Sequence, residues 1–506
     1  MLTLHSFIIK CKPPRVWDNM MDAFPAGIIL RQQAYVAGGW RDASDKRTIQ
    51  VFDPATGNAI GTVPRLSRTD VADAIAAAQR AQASWGSAPA SSRARLLHRW
   101  HDLIMSEHET LAHILTLEQG KPLAESRAEI DISAAYIKWF AEEARRVYGD
   151  IIPSPVAGRQ TLVTKQPVGV TCAVTPWNFP ASMIARKLAP ALAAGCTMLV
   201  KPSDRTPFIA LALADLAECA GFPPGVVSVL TGSSREIVDE LTASPAVRKL
   251  SFTGSTEVGK TLIQQCADTV KRMSMELGGN APVLIFEDAD IDAALHGLMA
   301  LKFRNNGQTC VCANRIFVQR SLLQKFSQAF VARVETLGIG AGDQPGVQIG
   351  PLITPEAARH MQHLVTRAVE QGARVLTGGK QSEPGSAFFT PTVLGDVSAD
   401  MDIAQNEIFG PIAPLIAFDT EAEVVATANA TPFGLASYLY TRDLARAWRV
   451  SDALEYGMVG INEVAISNEV APFGGIKESG FGREGSHYGI NEYLDIKYRC
   501  MGGLST

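Results

Sequence analysis

Apolar residues recur every three or four positions between residues 69 and 147. The segment "TDVADAIAAAQRAQASW" begins at Thr69, which we predict as a helix N-cap. The segment "SSRARLLHRWHDLIMSEHETLAHILTLEQG" continues this period as far as Gly120. Such spacing is typical of amphipathic helices, so this region is predicted to be helical.

The pattern changes in "VYGDIIPSPVAGRQTLVTKQPVGV", residues 147–170. Here β-branched residues lie on both sides of Ala157 and Gly158. Two such runs around a small turn predict a β-hairpin.

From residue 168 onward, short apolar runs alternate with helical segments. The predicted strands are "VGVTCAVTP", "CTMLVKP", "VVSVLTG" and "VRKLSFTG", and the helices between them include "MIARKLAPALAAG" and "PFIALALADLAECAG". The alternation returns between about residues 280 and 460, with "APVLIFE", "RIFVQ" and "GMVGIN" as strands. Buried strands joined by helices form parallel, doubly wound sheets, so we predict an α/β fold with two such domains in succession.

Composition narrows the classes of protein to consider. The 506 residues are 46% hydrophobic and 19% charged, with a formal net charge of -4. This mildly acidic balance argues against a nucleic acid partner. The segment "APALAAGCTMLV" at residues 189–200 is too short to span a bilayer, which takes roughly 18 apolar residues or more, so no membrane association is predicted.

The chain has eight cysteines, and six of them are scattered along it. Such sparse use predicts a reducing, cytoplasmic setting rather than a secreted disulfide framework. The N-terminus lacks the apolar core and the cleavage site of a secretory signal. We predict residues 1–21 to be an N-terminal extension, either disordered or not native.

The other two cysteines lie in "FRNNGQTCVCANR", residues 303–315. Cys310 and Cys312 have no second Cys or His pair at zinc spacing, so no metal is predicted. A disulfide between them would close a very small, strained loop and would be labile. They could also be ordinary buried thiols, but the polar, glycine-containing approach to Cys310 favours a nucleophile.

A nucleophilic cysteine needs a base and donors for the oxyanion that it creates. Glu276 in "MELGGN" lies among apolar neighbours that would raise its pKa, which suits a base. Asn178 in "TPWNFP" follows a predicted strand, where open α/β sheets bind ligands. Taken alone, each is equally compatible with a capping or turn residue.

The usual dinucleotide fingerprint G-x-G-x-x-G is absent from the sequence. Instead, "LSFTGSTEVGK" places Gly254 and Ser255 between a strand and a helix N-terminus, an arrangement that binds anions. Lys201 and Asp204 in "VKPSD" lie at another strand end, where they could hold sugar hydroxyls or form a solvated turn.

Taken together and in this order, the motifs "PWNFP", "KPSDRTP", "SFTGSTEVG", "MELGGNAP", "GQTCVCANR", "EIFGPI" and "APFGGIKESGFGREG" resemble the NAD(P)-dependent aldehyde dehydrogenase superfamily. The resemblance covers about residues 30 to 500. The segments "CVC", "ISNEVAPFGG" and "YLDIKY" are most similar to the succinate-semialdehyde dehydrogenases, with the glutarate-semialdehyde dehydrogenases next.

This resemblance implies a catalytic mechanism. Cys310 would attack the aldehyde to give a thiohemiacetal, with Asn178 and the backbone N–H of Cys310 stabilising its oxyanion. After hydride transfer to the nicotinamide, Glu276 would activate the water that hydrolyses the thioester. The residues implied to bind the coenzyme are Trp177, Lys201, Asp204, Gly254, Ser255, Glu407 and Phe409.

The resemblance also implies a site for the distal carboxylate of a semialdehyde. Arg186 and Arg304 match the anion-binding arginines of succinate-semialdehyde dehydrogenases, and Ser467 would add a hydroxyl. Succinate semialdehyde is therefore the predicted substrate, with glutarate semialdehyde or another carboxylate-bearing aldehyde as the alternative. The loop that contains Ser467, "INEVAIS" at residues 461–467, does not have the commonest sequence for this position. Its Glu463 adds negative charge near the predicted entrance of the substrate site.

The coenzyme is NAD or NADP, and NAD is favoured. Asp204 stands where many NAD-using relatives have glutamate, and a carboxylate there repels a 2′-phosphate. Asp204 is one methylene shorter, however, and Arg205 beside it leaves room for NADP.

We assign residues 22–146 and 168–275 to a Rossmann-like NAD(P)-binding domain and residues 276–463 to the catalytic domain. Residues 147–167 and 485–506 are the predicted oligomerisation segments. Exposed edge strands have unpaired backbone groups that favour pairing with another chain, and in the family that this chain resembles such segments pair across subunits. A homotetramer or homodimer is expected.

Two further hypotheses concern Cys310. It could instead serve a cysteine acyl-transfer hydrolase that uses no nicotinamide. Cys312 is a redox candidate, since a reducible disulfide with Cys310 would block catalysis and protect Cys310 from over-oxidation.

Overall fold

The computed structural model describes residues 30–504, so the predicted extension at residues 1–21 lies outside the described residues. The earlier strands are β1 (Ala34–Val36), β2 (Gly39–Arg41), β3 (Thr48–Phe52), β4 (Ala59–Pro64), β5 (Asp150–Ile152), β6 (Gln160–Pro167), β7 (Val170–Val174), β8 (Thr197–Lys201), β9 (Val227–Val229), β10 (Val247–Thr253) and β11 (Arg272–Glu276). The later strands are β12 (Ala281–Ile285), β13 (Ala313–Gln319), β14 (Arg374–Thr377), β15 (Thr392–Val397), β16 (Ile412–Phe418), β17 (Phe433–Gly434), β18 (Ala436–Tyr440), β19 (Met458–Ile461), β20 (Ile476–Lys477), β21 (Gly480–Phe481) and β22 (Leu494–Met501).

Helices connect most of these strands. They are α1 (Arg68–Ser87), α2 (Ala90–Ser106), α3 (His108–Gln119), α4 (Leu123–Glu143), α5 (Pro180–Ala194), α6 (Phe208–Ala220), α7 (Ser234–Ala243), α8 (Thr256–Cys266), α9 (Ile291–Phe303), α10 (Arg320–Val334), α11 (Pro355–Glu370), α12 (Asp402–Gln405), α13 (Glu421–Asn429), α14 (Leu444–Ala453) and α15 (Ser486–Asn491). Short 3₁₀ turns cover Ala144–Arg146, Ala267–Thr269 and Arg304–Gly307. No helix between residues 30 and 504 is long and apolar enough to cross a membrane.

The first helix begins earlier than predicted. Ser67, not Thr69, is its N-cap, because Ser67 and Asp70 form a capping box. The Asp70 N–H donates to Ser67 Oγ, and the Ser67 N–H donates to the Asp70 carboxylate at 2.8 Å. Both bonds satisfy donors at the helix end, which Thr69 could not do from inside the first turn.

The first large sheet has the strand order β2-β1-β9-β8-β7-β10-β11-β21. Its five central strands, from β9 to β11, are parallel. Successive residues along β7 and β8 join opposite cores: Ala173 and Met198 lie in one with α5 and α6, whereas Cys172 and Leu199 lie in the other with α1 and α7. Apolar side chains on both faces are the mark of a doubly wound sheet.

The second large sheet has the order β14-β15-β16-β13-β12-β18-β19 and is parallel except for β14. Its faces also alternate. Leu284 and Phe317 pack with α11, α13 and α14, whereas Val283 and Ile316 pack with α9 and α10. The predicted α/β class with two doubly wound sheets is therefore confirmed. The strand β21 joins the first sheet from outside the residues predicted for the NAD(P)-binding domain.

A third, antiparallel sheet has the order β22-β6-β5. It contains both the predicted hairpin and the C-terminal strand, with Val163 of β6 paired to Asp150 on one side and Tyr498 on the other. Apolar side chains on it are exposed, including Ile151 at 72% and Ile496 at 74%. The small sheet thus has little cover from the rest of its own chain.

Candidate active site

The carboxyl ends of the first sheet gather several predicted site residues along one edge. Val174 at the end of β7 lies beside Lys201 at the end of β8, and Thr253 at the end of β10 lies beside Glu276 at the end of β11. The loops carrying Asn178, Asp204 and Ser255 leave from these strand ends. Parallel strands present their ends at a common edge, so residues far apart in sequence meet there.

The chain crosses from the first sheet to the second through "LGGN", residues 277–280. A Cβ at Gly279 would lie 2.5 Å from the carbonyl oxygen of Cys310, and one at Gly278 would lie 2.8 Å from Glu407 Oε2. The Gly279 N–H donates to Glu407 Oε1 at 3.1 Å. The two glycines therefore let the crossing backbone contact both the predicted nucleophile Cys310 and the predicted coenzyme ligand Glu407.

The loop before Cys310 has three consecutive residues with left-handed backbone: Asn305, Asn306 and Gly307, with φ of 50°, 56° and 75°. Asparagine tolerates this conformation when its side chain finds partners. Asn305 Nδ2 donates to the Asn178 carbonyl at 2.9 Å, and Asn306 Nδ2 donates to the Gly350 carbonyl at 2.9 Å. A Cβ at Gly307 would collide with the Gly410 carbonyl, so only glycine fits there.

Asn178 is buried and held from several directions. Its Nδ2 donates to the Gln308 carbonyl at 3.0 Å, and its own carbonyl accepts from Lys121 Nζ at 2.7 Å as well as from Asn305. One hydrogen of the amide is thus engaged two residues before Cys310, and the second remains for a ligand. Sequence analysis missed the supporting roles of Lys121 and Asn305.

Cys310 is half-buried, and the charges of Glu407 and Arg186 act on its thiol. Burial raises its pKa to about 12, and the negative charge of Glu407 adds to the rise, whereas Arg186 opposes it. At neutral pH the side chain is therefore a thiol, and it needs a base to become a nucleophile.

Glu276 is also buried, and neither of its carboxylate oxygens has a hydrogen-bond partner within residues 30–504. Burial raises its pKa well above the usual value. Glu484 raises it further, and Lys187 opposes the rise. A carboxylate with a raised pKa near a thiol is suited to accept a proton near neutral pH.

Arg186 lies on α5, with its Nη2 donating to Ser467 Oγ at 2.7 Å. The guanidinium carbon lies 5.0 Å from the centre of the Tyr136 ring and 4.6 Å from that of Phe473. The structure therefore brings two of the three predicted carboxylate ligands together between aromatic walls.

Arg304 is placed differently. Its side chain is exposed, and its guanidinium carbon lies 4.8 Å from the centre of the Phe179 ring, next to Asn178. It packs on that ring rather than on Ser467. Glu463 is exposed and accepts hydrogen bonds from its own neighbours, Val464 N at 2.7 Å and Ala465 N at 2.8 Å. The carboxylate expected at the entrance is thus bound to backbone.

Two charged residues that sequence analysis did not single out lie behind the site. Lys187, fully buried on α5, forms an ion pair with Glu484. Every residue of α5 is buried, so the adjacent Arg186 and Lys187 inside an apolar helix were a readable signal of internal charge. Glu484 in "FGREGS" carried no such signal.

Cys312 is buried, with its Sγ 3.5 Å from the Lys302 carbonyl. Burial raises its pKa, and Lys302 opposes the rise. Both Cys310 and Cys312 are free thiols here, and the disulfide between them stays a prediction.

Several of the predicted coenzyme ligands lie along the first sheet. Lys201 Nζ forms an ion pair with Asp204 Oδ1 at 2.6 Å, and burial lowers the pKa of Lys201. Ser203, Asp204 and Arg205 line a cleft of about 840 Å³, which also contains Ser234 at the start of α7.

The other predicted ligands lie at the start of α8, after β7, and between α12 and β16 of the second sheet. Ser255 caps α8 by accepting from the Val258 N–H. Trp177 and Phe409 meet edge to face with ring centres 5.6 Å apart. Burial raises the pKa of Glu407 to about 7. In the part of the chain that the structure describes, no cluster of His, Cys, Asp or Glu side chains could hold a metal ion.

Known proteins share this architecture. The profile of the aldehyde dehydrogenase family matches residues 40–498. The chain is 54% identical over 476 residues to glutarate-semialdehyde dehydrogenase of Pseudomonas aeruginosa, covering 94% of this chain and 99% of that protein. It is also 54% identical over 474 residues to the NADP(+) succinate-semialdehyde dehydrogenase of Escherichia coli, covering 94% of this chain and 98% of that one.

Among solved structures, the succinate-semialdehyde dehydrogenase of Burkholderia pseudomallei is similar to this chain with a TM-score of 0.93. The two are 55% identical, and the match covers 94% of this chain and 98% of that chain.

Proposed function

The chain belongs to the aldehyde dehydrogenase family and is an NAD(P)-dependent aldehyde dehydrogenase, and from this premise we propose that it oxidises succinate semialdehyde to succinate. The observation that carries the choice of substrate is Arg186. This buried cation makes one hydrogen bond to Ser467, and its Nε and Nη1 have no hydrogen-bond partner among the described residues. A buried charge that its own protein neutralises incompletely attracts an anion.

Cys310 is the proposed nucleophile. Its thiol gives up its proton to Glu276 and adds to the aldehyde carbon, which forms a thiohemiacetal on the cysteine. The second N–H of Asn178 and the backbone N–H of Cys310 stabilise the negative oxygen. The Gln308 carbonyl orients the Asn178 amide for this purpose.

When bound, NAD(P) would supply the acceptor for the hydride that leaves the substrate carbon. The residues present fit it, because Lys201 and Asp204 at the end of β8 and Ser255 at the start of α8 lie on one edge of the first sheet. The first N–H groups of α8 are available for phosphate oxygens, and Lys201 and Glu407 for the riboses. After Glu276 has released the first proton to solvent, it takes a proton from the water that attacks the thioester, and the carbon–sulfur bond breaks to give the acid and free Cys310.

We infer a preference for NAD. Asp204 holds a negative charge at the cleft, paired with Lys201, and would repel a 2′-phosphate. Arg205 is exposed on the same lining and offsets part of this repulsion.

Glutarate semialdehyde is the second candidate substrate. The chain is as similar to the Pseudomonas aeruginosa glutarate enzyme as to the Escherichia coli succinate enzyme, at 54% identity to each. One methylene in a binding site changes the free energy by only about 1–3 kcal/mol, so both aldehydes are compatible with one site.

The proposal is tested by following absorbance at 340 nm with succinate semialdehyde, glutarate semialdehyde and butanal, each with NAD and NADP. Butanal matches the chain length of succinate semialdehyde and lacks its carboxylate. We expect kcat/KM for succinate semialdehyde to exceed that for butanal by about 10–100-fold, the value of a charge-assisted hydrogen bond. Arg186→Gln, which keeps a polar side chain but removes the positive charge, should remove most of the difference.

Equal kcat/KM for the two aldehydes would contradict the anion site but keep the dehydrogenase. Absence of any NAD(P)H signal, with hydrolysis of an ester substrate, would instead support the acyl-transfer hydrolase.

We also propose self-association through the third sheet. Ile496 and Tyr498 on β22 and Ile151 on β5 are each more than half exposed. Apolar strands with open edges are normally covered by another chain. Light scattering should show Tyr498→Asp shifting the protein to a smaller species, and an unchanged mass would contradict this interface. A cytoplasmic location stays a prediction.

A further inference from the structure

The predicted anion site and the predicted base belong to one buried cluster of charges. Lys187 forms an ion pair with Glu484, and Arg186 Nη1 lies 4.0 Å from the other Glu484 oxygen, Oε2. The segment of Phe473 and Gly474 connects this cluster to Glu276. The Phe473 ring packs on Arg186, and a Cβ at Gly474 would lie 3.0 Å from Glu276 Oε1.

Few of these charges are neutralised by hydrogen bonds. In this cluster, the atoms without a hydrogen-bond partner among residues 30–504 are Arg186 Nε and Nη1, Glu484 Oε2 and both carboxylate oxygens of Glu276. Charges that are buried and unpaired act on one another at a distance, because little water screens them. A change of charge at Arg186 must therefore be felt at Glu276.

We propose that the distal carboxylate of the substrate, on binding Arg186, makes Glu276 a stronger base, so that the anion site raises turnover as well as affinity. This inference rests on the proposed function, because it needs an anionic group at Arg186. It assigns Arg186 a role in positioning charge for the base in addition to holding the substrate.

The sign follows from the charges. The positive charge of Arg186 lowers the pKa of Glu276, against burial and Glu484, which raise it. A carboxylate bound at Arg186 cancels that positive field, so the pKa of Glu276 rises and its ionised form becomes more basic. The ionisable groups that face Glu276 or Arg186 in this cluster are Glu484, Lys187, Arg483, Cys310 and Tyr136.

Thermodynamic reciprocity gives an equilibrium consequence. If an anion at Arg186 raises the pKa of Glu276, the anion binds more tightly when Glu276 is protonated. Anion affinity then rises as pH falls through that pKa, and binding takes up protons from the buffer. A neutral ligand of the same shape does neither.

The test is calorimetric binding of butyrate to the full-length chain at pH 6 to 9, in two buffers that differ in ionisation enthalpy. Butyrate has the chain length of the substrate, carries one carboxylate and cannot react with Cys310. We expect its Kd to fall about 3–10-fold from pH 9 to pH 6, a coupling of ordinary size, with uptake of a fraction of a proton. Butanamide is the neutral control and should show no proton uptake.

Two variants separate the inference from the proposed function. Glu276→Gln is isosteric at a carboxylate that makes no hydrogen bond with the described residues, so it should fold and bind butyrate without proton uptake. Arg186→Gln should lose butyrate binding altogether.

Butyrate binding by the wild type with no proton uptake at any pH would overturn the coupling while leaving the anion site intact. Uptake that persists in Glu276→Gln would also overturn it, since the proton would then reside elsewhere. Failure of the wild type to bind butyrate would contradict the anion site, and this inference with it.

Turnover gives an independent readout. The acidic limb of the kcat profile, which reports the enzyme–substrate complex, should lie at higher pH for succinate semialdehyde than for butanal. The limb of kcat/KM reports the free enzyme and should coincide for the two aldehydes. Coincident kcat limbs would contradict the coupling.

Discussion

The two large sheets contribute opposite ends of their strands to the candidate active site. The first sheet presents the carboxyl ends of β7, β8, β10 and β11, which lead directly into the loops of Asn178, Lys201 and Ser255. The second presents the amino ends of its strands, and Cys310 lies three residues before β13 begins. The first edge holds groups suited to binding together with the predicted base Glu276, whereas the second supplies the reacting thiol.

The difference shows that two physical rules build one site. Ligand groups at the carboxyl edge follow from parallel strand packing and tolerate modest changes of side chain. The reacting thiol depends on a loop with unusual backbone angles and on glycines that allow close approach. Variants in the cysteine loop of the second edge should therefore impair chemistry, whereas variants of Lys201 and Asp204 on the first edge should mainly change coenzyme binding.

Removing the nucleophile tests this division with the largest expected effect. Cys310→Ala should reduce kcat about 10⁴-fold or more, because the covalent route is lost. Coenzyme affinity, measured by quenching of tryptophan fluorescence, should change little, since Lys201, Asp204 and Ser255 lie on the other edge. A large loss of coenzyme affinity would show that the two edges are not separable.

Replacing the base comes next. Glu276→Gln should lower kcat by about 10²–10⁴-fold, the usual contribution of general base catalysis. In the wild type, activity should rise with pH as Glu276 loses its proton. Because burial raises its pKa well above the usual value, this limb should lie far above pH 4.5. Retention of the same limb in Glu276→Gln would assign it to another group.

A glycine of the cysteine loop tests the second edge through stability. Gly307 and Gly346 both have positive φ, 75° and 79°, but a Cβ at Gly346 meets nothing within 4 Å, whereas one at Gly307 meets the Gly410 carbonyl. Gly346→Ala should cost about 1 kcal/mol, and Gly307→Ala about 1–3 kcal/mol more. Thermal unfolding measures both, and equal losses would contradict the steric argument.

The smallest effect is expected at the first edge. Asp204→Asn removes the negative charge at nearly constant size, so kcat/KM with NADP should rise relative to NAD by about 10-fold, worth about 1.4 kcal/mol. The measurement is the ratio of initial rates at low coenzyme concentration. An unchanged ratio would indicate that the pairing with Lys201 already cancels the charge of Asp204.

The strands and loops of the first edge could be predicted from the sequence, because a local, periodic pattern of apolar residues encodes each strand and helix. Strand–helix alternation located β7, β8 and β10, and the loop after each one follows from that alternation. Gly195, predicted to end a helix, does so with a φ of 98°. The start of α1 was misplaced because the Ser67–Asp70 capping box was not recognised.

The supporting contacts of the second edge could not be predicted in the same way. The hydrogen bonds of Asn305 to Asn178 join residues 127 positions apart, and the ion pair of Lys187 with Glu484 joins residues 297 positions apart. No periodic pattern encodes such pairs, since each partner is an ordinary polar residue in its own segment. The placement of Arg304 on Phe179 likewise depends on a tertiary contact.

The pairing of β6 with β22 affects how the chain folds while the ribosome is still synthesising it. Strand β6 can pair with β5 as soon as both have been synthesised. The strand that pairs with its other edge, β22, is synthesised about 330 residues later. At typical synthesis rates of about 5–20 residues per second, the ribosome needs roughly 15–65 s to make that distance. Throughout this time an apolar hairpin lacks its neighbour, so nascent chains on one messenger RNA are at risk of pairing with each other before each is complete.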